Sequence, residues 1–263
     1  MIFPRKPQIL YAPMLSTFGG GSANGFKASA THEDGAIVTQ GLVGYFDAND
    51  TSTHSGSNST WNSKTGGFSA SLSNVTYNSA DYGYFTWTLT SSSTAITNIQ
   101  RTNNDLTYMA WARINSNSTR GDEHLLDTFE QGSNEWTALM IANSNSSAPK
   151  ARFVIDNNGN KSTVTGTTTI NVDTWVHLAG TYRSSTGQIQ IFLNGQIDYG
   201  LPEWASAGQI DGLSALGIGS TDAYASPNPR FTGDISVAMT YDEKKTAGEI
   251  LQNYNALKGR YGL

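Results

Sequence analysis

Residues 174–197, TWVHLAGTYRSSTGQIQIFLNGQI, decide the fold class of this chain. In residues 176–182, and again in 189–193, apolar side chains recur at every second or fourth position. That spacing places them on one face of a strand. Gly187 lies in a turn cluster between the two runs, and Asn194-Gly195 is a strong hairpin signal. The stretch therefore predicts three antiparallel strands in one meander.

The composition of the whole chain agrees with a β-rich fold. Of 263 residues, 37% are hydrophobic and only 14% are charged, while Ser, Thr, Asn and Gly are abundant. Aromatic residues make up 11%, which argues against disorder. The net charge of −5 predicts neither a nucleic-acid partner nor an anionic membrane, and no apolar run is long enough for membrane insertion. The absence of Cys excludes disulfides, thiolate metal sites and thiol nucleophiles.

Further strands are predicted along the chain wherever apolar residues alternate or cluster between turn residues. They are expected at 42–46, 68–77, 82–89, 106–114, 125–129, 136–142, 151–155, 216–219 and 235–241. Strands at such spacing indicate an all-β jelly roll or antiparallel β-sandwich. In the central run, Tyr108 and Ala110 share one face while Met109 and Trp111 share the other.

One short helix is predicted at the C-terminus. Thr246 and Glu249 have the spacing of a capping box, and an apolar stripe at helical spacing follows from Ala247 to Leu257. Gly259 stands where the helix is expected to end. We expect this helix to pack on the sandwich.

The N-terminal segment differs from the rest. We divide the chain into an extended arm with a Gly-rich linker, 1–40, and a β-sandwich domain, 41–263. The arm is apolar, shows no helical or strand period and is interrupted by proline. A disordered tail and a segment lying on its own domain are the alternatives to a partner-binding arm, which we favour. The predicted contact residues are Phe3, Pro4, Pro7, Ile9, Leu10, Tyr11, Pro13, Met14, Leu15 and Phe18.

Several short motifs follow one another in an order typical of one superfamily. They are YMAW at 108–111, WVH at 175–177, TY at 181–182, FLNG at 192–195 and FTGDI at 231–235. Together they resemble laminin G-like domains of the concanavalin A-like lectin/glucanase superfamily, from Gly41 to Leu263. The resemblance implies two curved antiparallel sheets.

The two ends of the chain carry a second resemblance. EILQNYNALKGRYGL at 249–263 resembles the close of laminin G-like proteins of tailed bacteriophages, and PQILYAPM at 7–14 resembles N-terminal segments of phage virion proteins. This resemblance implies a virion localisation, other capsid or tail proteins as partners, and multiple copies or a homo-oligomer.

Catalysis is not expected. The retaining glucanases of the superfamily carry carboxylates at alternate positions of one strand, and no acid-x-acid triplet occurs here. His177 is predicted to be a packed imidazole. No cofactor is expected, although loop oxygens of Asp156, Asn157 and Asn158, or of Asp47 with Asn49, are of the kind that Ca²⁺ prefers. Ordinary turn roles are the favoured alternative for these residues.

Two functions are weighed. The main hypothesis is a non-enzymatic virion structural protein, a capsid decoration or other surface component attached through its arm. The alternative is a glycan-binding adhesin or tail-fibre module that contacts host polysaccharide. For the alternative, Trp204, Asp222 and Tyr224 are the candidate glycan-binding residues, because loop aromatics beside acids stack on and hydrogen-bond sugars. Aromatics that simply cover a sheet edge are the competing interpretation.

Overall fold

The computed structural model describes residues 36–54, 56, 59–88, 93–100, 105–115, 121–128, 136–157, 159–199, 203–204, 208, 210, 215–220 and 231–263, with the backbone alone at 100, 203 and 204. These residues form seventeen strands, one α-helix and one short 3-10 turn. The strands are β1 Leu42–Asp47, β2 Thr60–Asn62, β3 Ser69–Ser73, β4 Thr76–Asn78, β5 Tyr84–Trp87, β6 Thr94–Gln100, β7 Leu106–Ile114, β8 Asp122–Asp127, β9 Trp136–Ala142, β10 Lys150–Asn157, β11 Asn160–Thr165, β12 Val176–Arg183, β13 Gln188–Leu193, β14 Gln196–Ile197, β15 Glu203–Trp204, β16 Ala215–Ile218 and β17 Gly233–Tyr241.

The strands form two antiparallel sheets, as the alternation predicted. One sheet has nine strands in the order β14-β13-β12-β7-β17-β5-β4, with β1 paired to β17 and β15 paired to β13. The other has eight strands in the order β11-β10-β9-β8-β16-β6-β3-β2. The predicted β-sandwich with one short C-terminal helix is therefore confirmed.

The main hydrophobic core lies between the two sheets, and the inward-facing side chains of both sheets pack against one another there. Tyr108 on β7 meets Phe153 on β10 edge to face, with 6.3 Å between ring centroids. Gly180 on β12 leaves room for the same ring, since a Cβ at this position would lie 2.2 Å from Phe153 Cδ2. The sheets thus interlock at Phe153, which is fully buried.

The opening stretch forms the predicted meander. β12 pairs with β13, and β13 pairs with β14, across the turns at residues 184–187 and Asn194-Gly195. The third strand is only two residues long, Gln196–Ile197.

Helix α1, Ala247–Lys258, covers the outer face of the nine-stranded sheet. Ile250 and Leu257 pack there in one cluster with Met109 and Trp111. The capping box is confirmed: the Glu249 amide donates to Thr246 Oγ1 at 3.3 Å, and the Thr246 amide donates to Glu249 Oε2 at 2.8 Å.

The α-helix ends at Lys258 with Gly259 as its C-cap, where the sequence predicted its end. Gly259 has φ −60° and starts the 3-10 turn Gly259–Tyr261, and Gly262 takes the left-handed conformation at φ 71°. One sequence-based expectation was wrong in detail. The single strand expected at 68–77 is two strands, β3 and β4, which belong to different sheets. Asn74 separates them with φ 49°, a left-handed conformation that Asn tolerates and that breaks the extended run.

Residues 36–40 contact the helix side of the sandwich. The Val38 amide donates to Asn253 Oδ1 at 2.8 Å, and the Tyr241 hydroxyl donates to the Val38 carbonyl at 3.0 Å. The arm, 1–18, lies outside the described residues, so its predicted contacts stay a prediction. Within the described part of the chain, no helix combines the length and the apolar character that crossing a membrane requires.

Candidate functional site

The outer face of the eight-stranded sheet carries a group of aromatic and ionisable side chains that the core between the sheets does not use. On β9 and β10, Leu139, Ile141, Phe153 and Ile155 point into the core. Because side chains alternate along a strand, the residues between them point outward. Cross-strand pairing arranges these outward residues in three rows: Trp136–Asp156–Lys161, Asp127–Ala138–Val154–Thr163, and His124–Met140–Arg152–Thr165.

The Trp136 indole packs on a bed of three apolar side chains, those of Ala138, Met140 and Val154, which are buried together. Its Nε1 donates to Asp156 Oδ2 at 3.2 Å, from the paired position on β10. The packing and this hydrogen bond together fix the ring on the sheet surface. We call Trp136 with this bed the indole platform.

Two basic side chains flank the indole platform. The His124 ring is nearly parallel to the indole, with an interplanar angle of 7° and centroids 6.1 Å apart. Lys161 Nζ lies over the indole, 4.9 Å from its centroid. Such a cation–π contact at an exposed position contributes about 0.5–1 kcal/mol. An exposed ammonium over a half-buried indole forms a contact that an incoming ligand can displace or extend.

A β-bulge brings His124 and Asp127 together. The register of β8 against β9 shifts between His124 and Leu126, so residues three apart in sequence both face outward. His124 Nδ1 forms a short hydrogen bond with Asp127 Oδ2. The second oxygen, Asp127 Oδ1, is buried and has no hydrogen-bond partner within the described part of the chain, and the same holds for Asp156 Oδ1.

An ion pair borders the platform on the other side. Arg152 Nη1 donates to both carboxylate oxygens of Asp122, at 3.1 and 3.2 Å, and its Nε donates to Thr165 Oγ1 at 3.0 Å. Asp122 is 43% exposed and Arg152 is 23% exposed, so this pair is open to solvent. The face therefore offers both hydrogen-bond donors and acceptors beside an aromatic ring.

The glycan-binding residues predicted from sequence fall largely outside the structure's described part. Asp222 and Tyr224 are not among the described residues. The backbone of Trp204 pairs with Gln188 in β15, and its side chain is not described. All three assignments stay predictions.

The calcium candidates engage other partners. Asp47 accepts two hydrogen bonds from Arg260 Nη1, and Asp156 accepts one from Trp136. Asn158 lies outside the described residues. Among those described, no group of three or more His, Cys, Asp or Glu side chains is arranged to hold a metal ion. The donor set around Asp47 does not fit Ca²⁺, because a guanidinium already occupies the carboxylate.

Sequence reasoning placed Trp136 in a strand and did not single it out as a site residue. The available signal was the alternation itself: in WTALMIA and KARFVIDN, Trp136, Arg152 and Asp156 fall out of phase with the core residues. His124 and Asp127 carried no such signal, since regular alternation would send residues three apart to opposite faces.

Comparison with solved structures shows the same fold in proteins of very different sequence. Trypanosoma rangeli sialidase, solved with 2-keto-3-deoxy-D-glycero-D-galacto-2,3-difluoro-nononic acid, has a TM-score of 0.61 and 16% identity over 85% of this chain. The chain spans about a third of the length of that sialidase, 34%. Domain 4 of AbnA, a GH43 extracellular arabinanase from Geobacillus stearothermophilus in complex with arabinotriose, has a TM-score of 0.58 and 12% identity, covering 81% of this chain and 98% of that domain.

No curated protein sequence matches the chain. A family model does: the model described as concanavalin A-like lectin/glucanases superfamily matches residues 88–251, well over half of the chain. The match includes the meander at 174–197, β7 and all of β17, and the fold agrees with it. The chain belongs to the concanavalin A-like lectin/glucanases superfamily, in its laminin G-like branch.

Proposed function

We propose that this chain is a glycan-binding module that stacks a sugar ring on the indole platform of the eight-stranded sheet. One observation carries the proposal: Trp136 is held on the outer face by Asp156 and by its bed, with Lys161 over the ring. A pyranose or furanose ring presents an apolar C–H side, which packs on an aromatic face, and polar hydroxyls at its edge.

The surroundings of the platform suit those hydroxyls. Lys161 and Thr163 are exposed on β11, and the Arg152–Asp122 pair is open to solvent. Ammonium and guanidinium groups donate, carboxylates accept, and Thr hydroxyls do both. A sugar seated on Trp136 thus meets complementary groups on the neighbouring strands.

The comparisons support the same class of ligand. The arabinanase domain that shares this fold was solved in complex with arabinotriose, and the sialidase in complex with 2-keto-3-deoxy-D-glycero-D-galacto-2,3-difluoro-nononic acid. At 12% and 16% identity, these similarities establish a shared fold, but they do not identify binding residues in this chain. The proposal for this chain therefore stands on Trp136 and its neighbours.

The module is proposed to bind without catalysis and without a cofactor. Each carboxylate of the site already has a partner: Asp156 holds the indole, Asp127 holds His124, and Asp122 pairs with Arg152. Carboxylates engaged in this way position other side chains. A free acid and a free nucleophile at the spacing of a retaining glycosidase are what catalysis would need.

A glycan array followed by calorimetry with the best ligand tests the proposal. Trp136→Ala should lower the affinity roughly tenfold or more, since buried aromatic anchors dominate binding sites. Tyr82→Ala is the matched control, because Tyr82 is an aromatic residue that is 53% exposed and lies away from the eight-stranded sheet. If no glycan binds, or if Trp136→Ala binds as well as the unmodified protein, the proposal is wrong.

The virion role predicted from the two ends of the chain has no support in the described structure or in the comparisons. It stays a prediction, together with the arm contacts at 1–18 and multiple copies. Electron microscopy that locates this chain on intact phage particles, with and without residues 1–27, tests it directly.

A further inference from the structure

We propose a second ligand site, separate from the indole platform, in a cleft formed by the β9–β10 connection and the loop that follows β11. The cleft has a volume of about 360 Å³ and lies between residues 144–149 and residues 169–172. Trp136 stands at the start of β9, whereas this cleft follows its end. The inference does not depend on the platform.

The cleft is held in shape from both sides. Asn143 has φ 55°, and its carbonyl accepts hydrogen bonds from the Ser146 amide at 3.0 Å and the Ser146 hydroxyl at 2.8 Å. The Ile170 amide donates to the Pro149 carbonyl at 2.8 Å, which joins the two walls. Lys150 Nζ donates to Thr169 Oγ1 at 3.0 Å and to the Thr167 carbonyl. Because these hydrogen bonds already fix both walls of the cleft, ligand binding would cost less conformational entropy than binding that must order a loop.

The floor is apolar and the rim is polar. Pro149 and Ile170 are buried, while Val172 is 39% exposed. Around them stand the side chains of Asn145, Ser147 and Asn171, which are exposed and have no hydrogen-bond partner within the described part of the chain. Six of the nine described residues that line the cleft are polar and none is aromatic, which suits a hydroxyl-rich ligand rather than an apolar one. The volume of about 360 Å³ lies within the range of ligand-binding clefts.

The chemistry of the lining selects the class of ligand. None of the described residues that line the cleft carries a charge. The ammonium of Lys150, 3.0 Å from Thr169 Oγ1, is the neighbouring charge, and it already donates to Thr169 and to the Thr167 carbonyl. An ionic ligand would lose its hydration without a counter-charge in the lining itself, so an uncharged ligand is favoured. Amides and hydroxyls both donate and accept, which suits a neutral, polyhydroxylated ligand such as one unit of an uncharged oligosaccharide.

Nuclear magnetic resonance with the full-length protein tests the site. Neutral trisaccharides built from glucose, mannose, xylose or arabinose are titrated to millimolar concentration while backbone amide signals are followed. We expect at least one sugar to shift the signals of Ser146, Ser147, Asn171 and Val172 in a saturable way. No saturable shift with any of these sugars would overturn the proposal.

Three variants distinguish this cleft from the platform. Ser147→Trp fills the cleft from an exposed position and should abolish the shifts, whereas Ser79→Trp, at an exposed turn elsewhere, should keep them. Trp136→Ala should also keep them. If the shifts persist in Ser147→Trp, or vanish in Trp136→Ala, the cleft is not an independent site. Loss of array binding in Trp136→Ala with cleft shifts retained would support both sites separately.

Discussion

Arg260 Nη1 lies 2.9 Å from Oδ1 and 3.0 Å from Oδ2 of Asp47, a residue 213 positions earlier in the chain. The Asp47 carboxylate is almost fully buried at 1% exposure. The Tyr45 hydroxyl donates to its Oδ2 at 3.1 Å; burial, and next the Asp47 charge, raise the pKa of Tyr45 well above its ordinary value. The C-terminal turn is thereby tied to the first strand.

Arg260→Ala should destabilise the protein by about 3 kcal/mol, because it leaves the buried Asp47 carboxylate without its hydrogen-bonded counter-charge. Lys64 Nζ remains 3.8 Å from Asp47 Oδ2 and compensates only in part. Urea denaturation measures the free energy of unfolding. The matched control is Arg152→Ala, whose ion pair with Asp122 is open to solvent and should cost less than about 1 kcal/mol. Equal midpoints for the two variants would contradict the burial argument.

Gly180→Ala should destabilise the sandwich by about 1–3 kcal/mol, as overpacking of a core does. The added methyl would lie 2.2 Å from Phe153 Cδ2. Because Phe153 is fully buried, its ring can move away only by displacing other core side chains. Thermal unfolding checks this. Gly180→Ala combined with Phe153→Leu should recover part of the loss, since the shorter side chain makes room. An unchanged midpoint for Gly180→Ala would mean that the sheets are less tightly joined there.

His177 makes stability depend on pH. Its ring is buried against Trp111 and Tyr254, and burial lowers the pKa of His177 to about 3 from an ordinary 6.5. Since the unfolded chain takes up the proton first, this residue's contribution is complete above pH 6.5. It is lost as the pH falls toward 3, by about 1.4 kcal/mol per pH unit.

His177→Leu should remove that contribution. The variant and the unmodified protein are compared by urea denaturation at pH 7 and at pH 5. Between pH 7 and pH 5 the free energy of unfolding should fall less for the variant than for the unmodified protein. The reason is that the introduced leucine binds no proton in the unfolded chain, whereas His177 does. Equal losses in the two proteins would show that His177 does not carry the dependence.

Asp156→Ala should weaken glycan binding by about three- to tenfold, the value of one hydrogen bond. The indole Nε1 would lose its acceptor, and Trp136 would no longer be held in one orientation. Asp81→Ala removes the same charge from an exposed carboxylate that pairs with Arg113 of the nine-stranded sheet, away from Trp136, so it is the matched control. Calorimetry with the array ligand measures both. A similar loss in the two variants would point to charge rather than to ring orientation.

The meander at 174–197 shows which structural features a local sequence pattern can predict. Period-2 alternation in 176–182 and 189–193, with turn residues between them, predicted two long strands and their inward faces, and the structure agrees. The Thr246–Glu249 capping box was readable for the same reason, since both partners lie within one helical turn. The strand expected at 68–77 failed because only pairing in two different sheets reveals the break at Asn74.

The candidate site required the tertiary structure. Trp136, Asp156 and Lys161 come from three strands, and they meet because the register of β9, β10 and β11 aligns them. His124 and Asp127 share a face only through the bulge in β8, which neighbouring strands impose. By itself, the sequence determined strand, turn and inward face, since these depend on neighbours within a few residues. Pairing between distant strands decided which outward side chains form a site, because register is a property of the whole sheet.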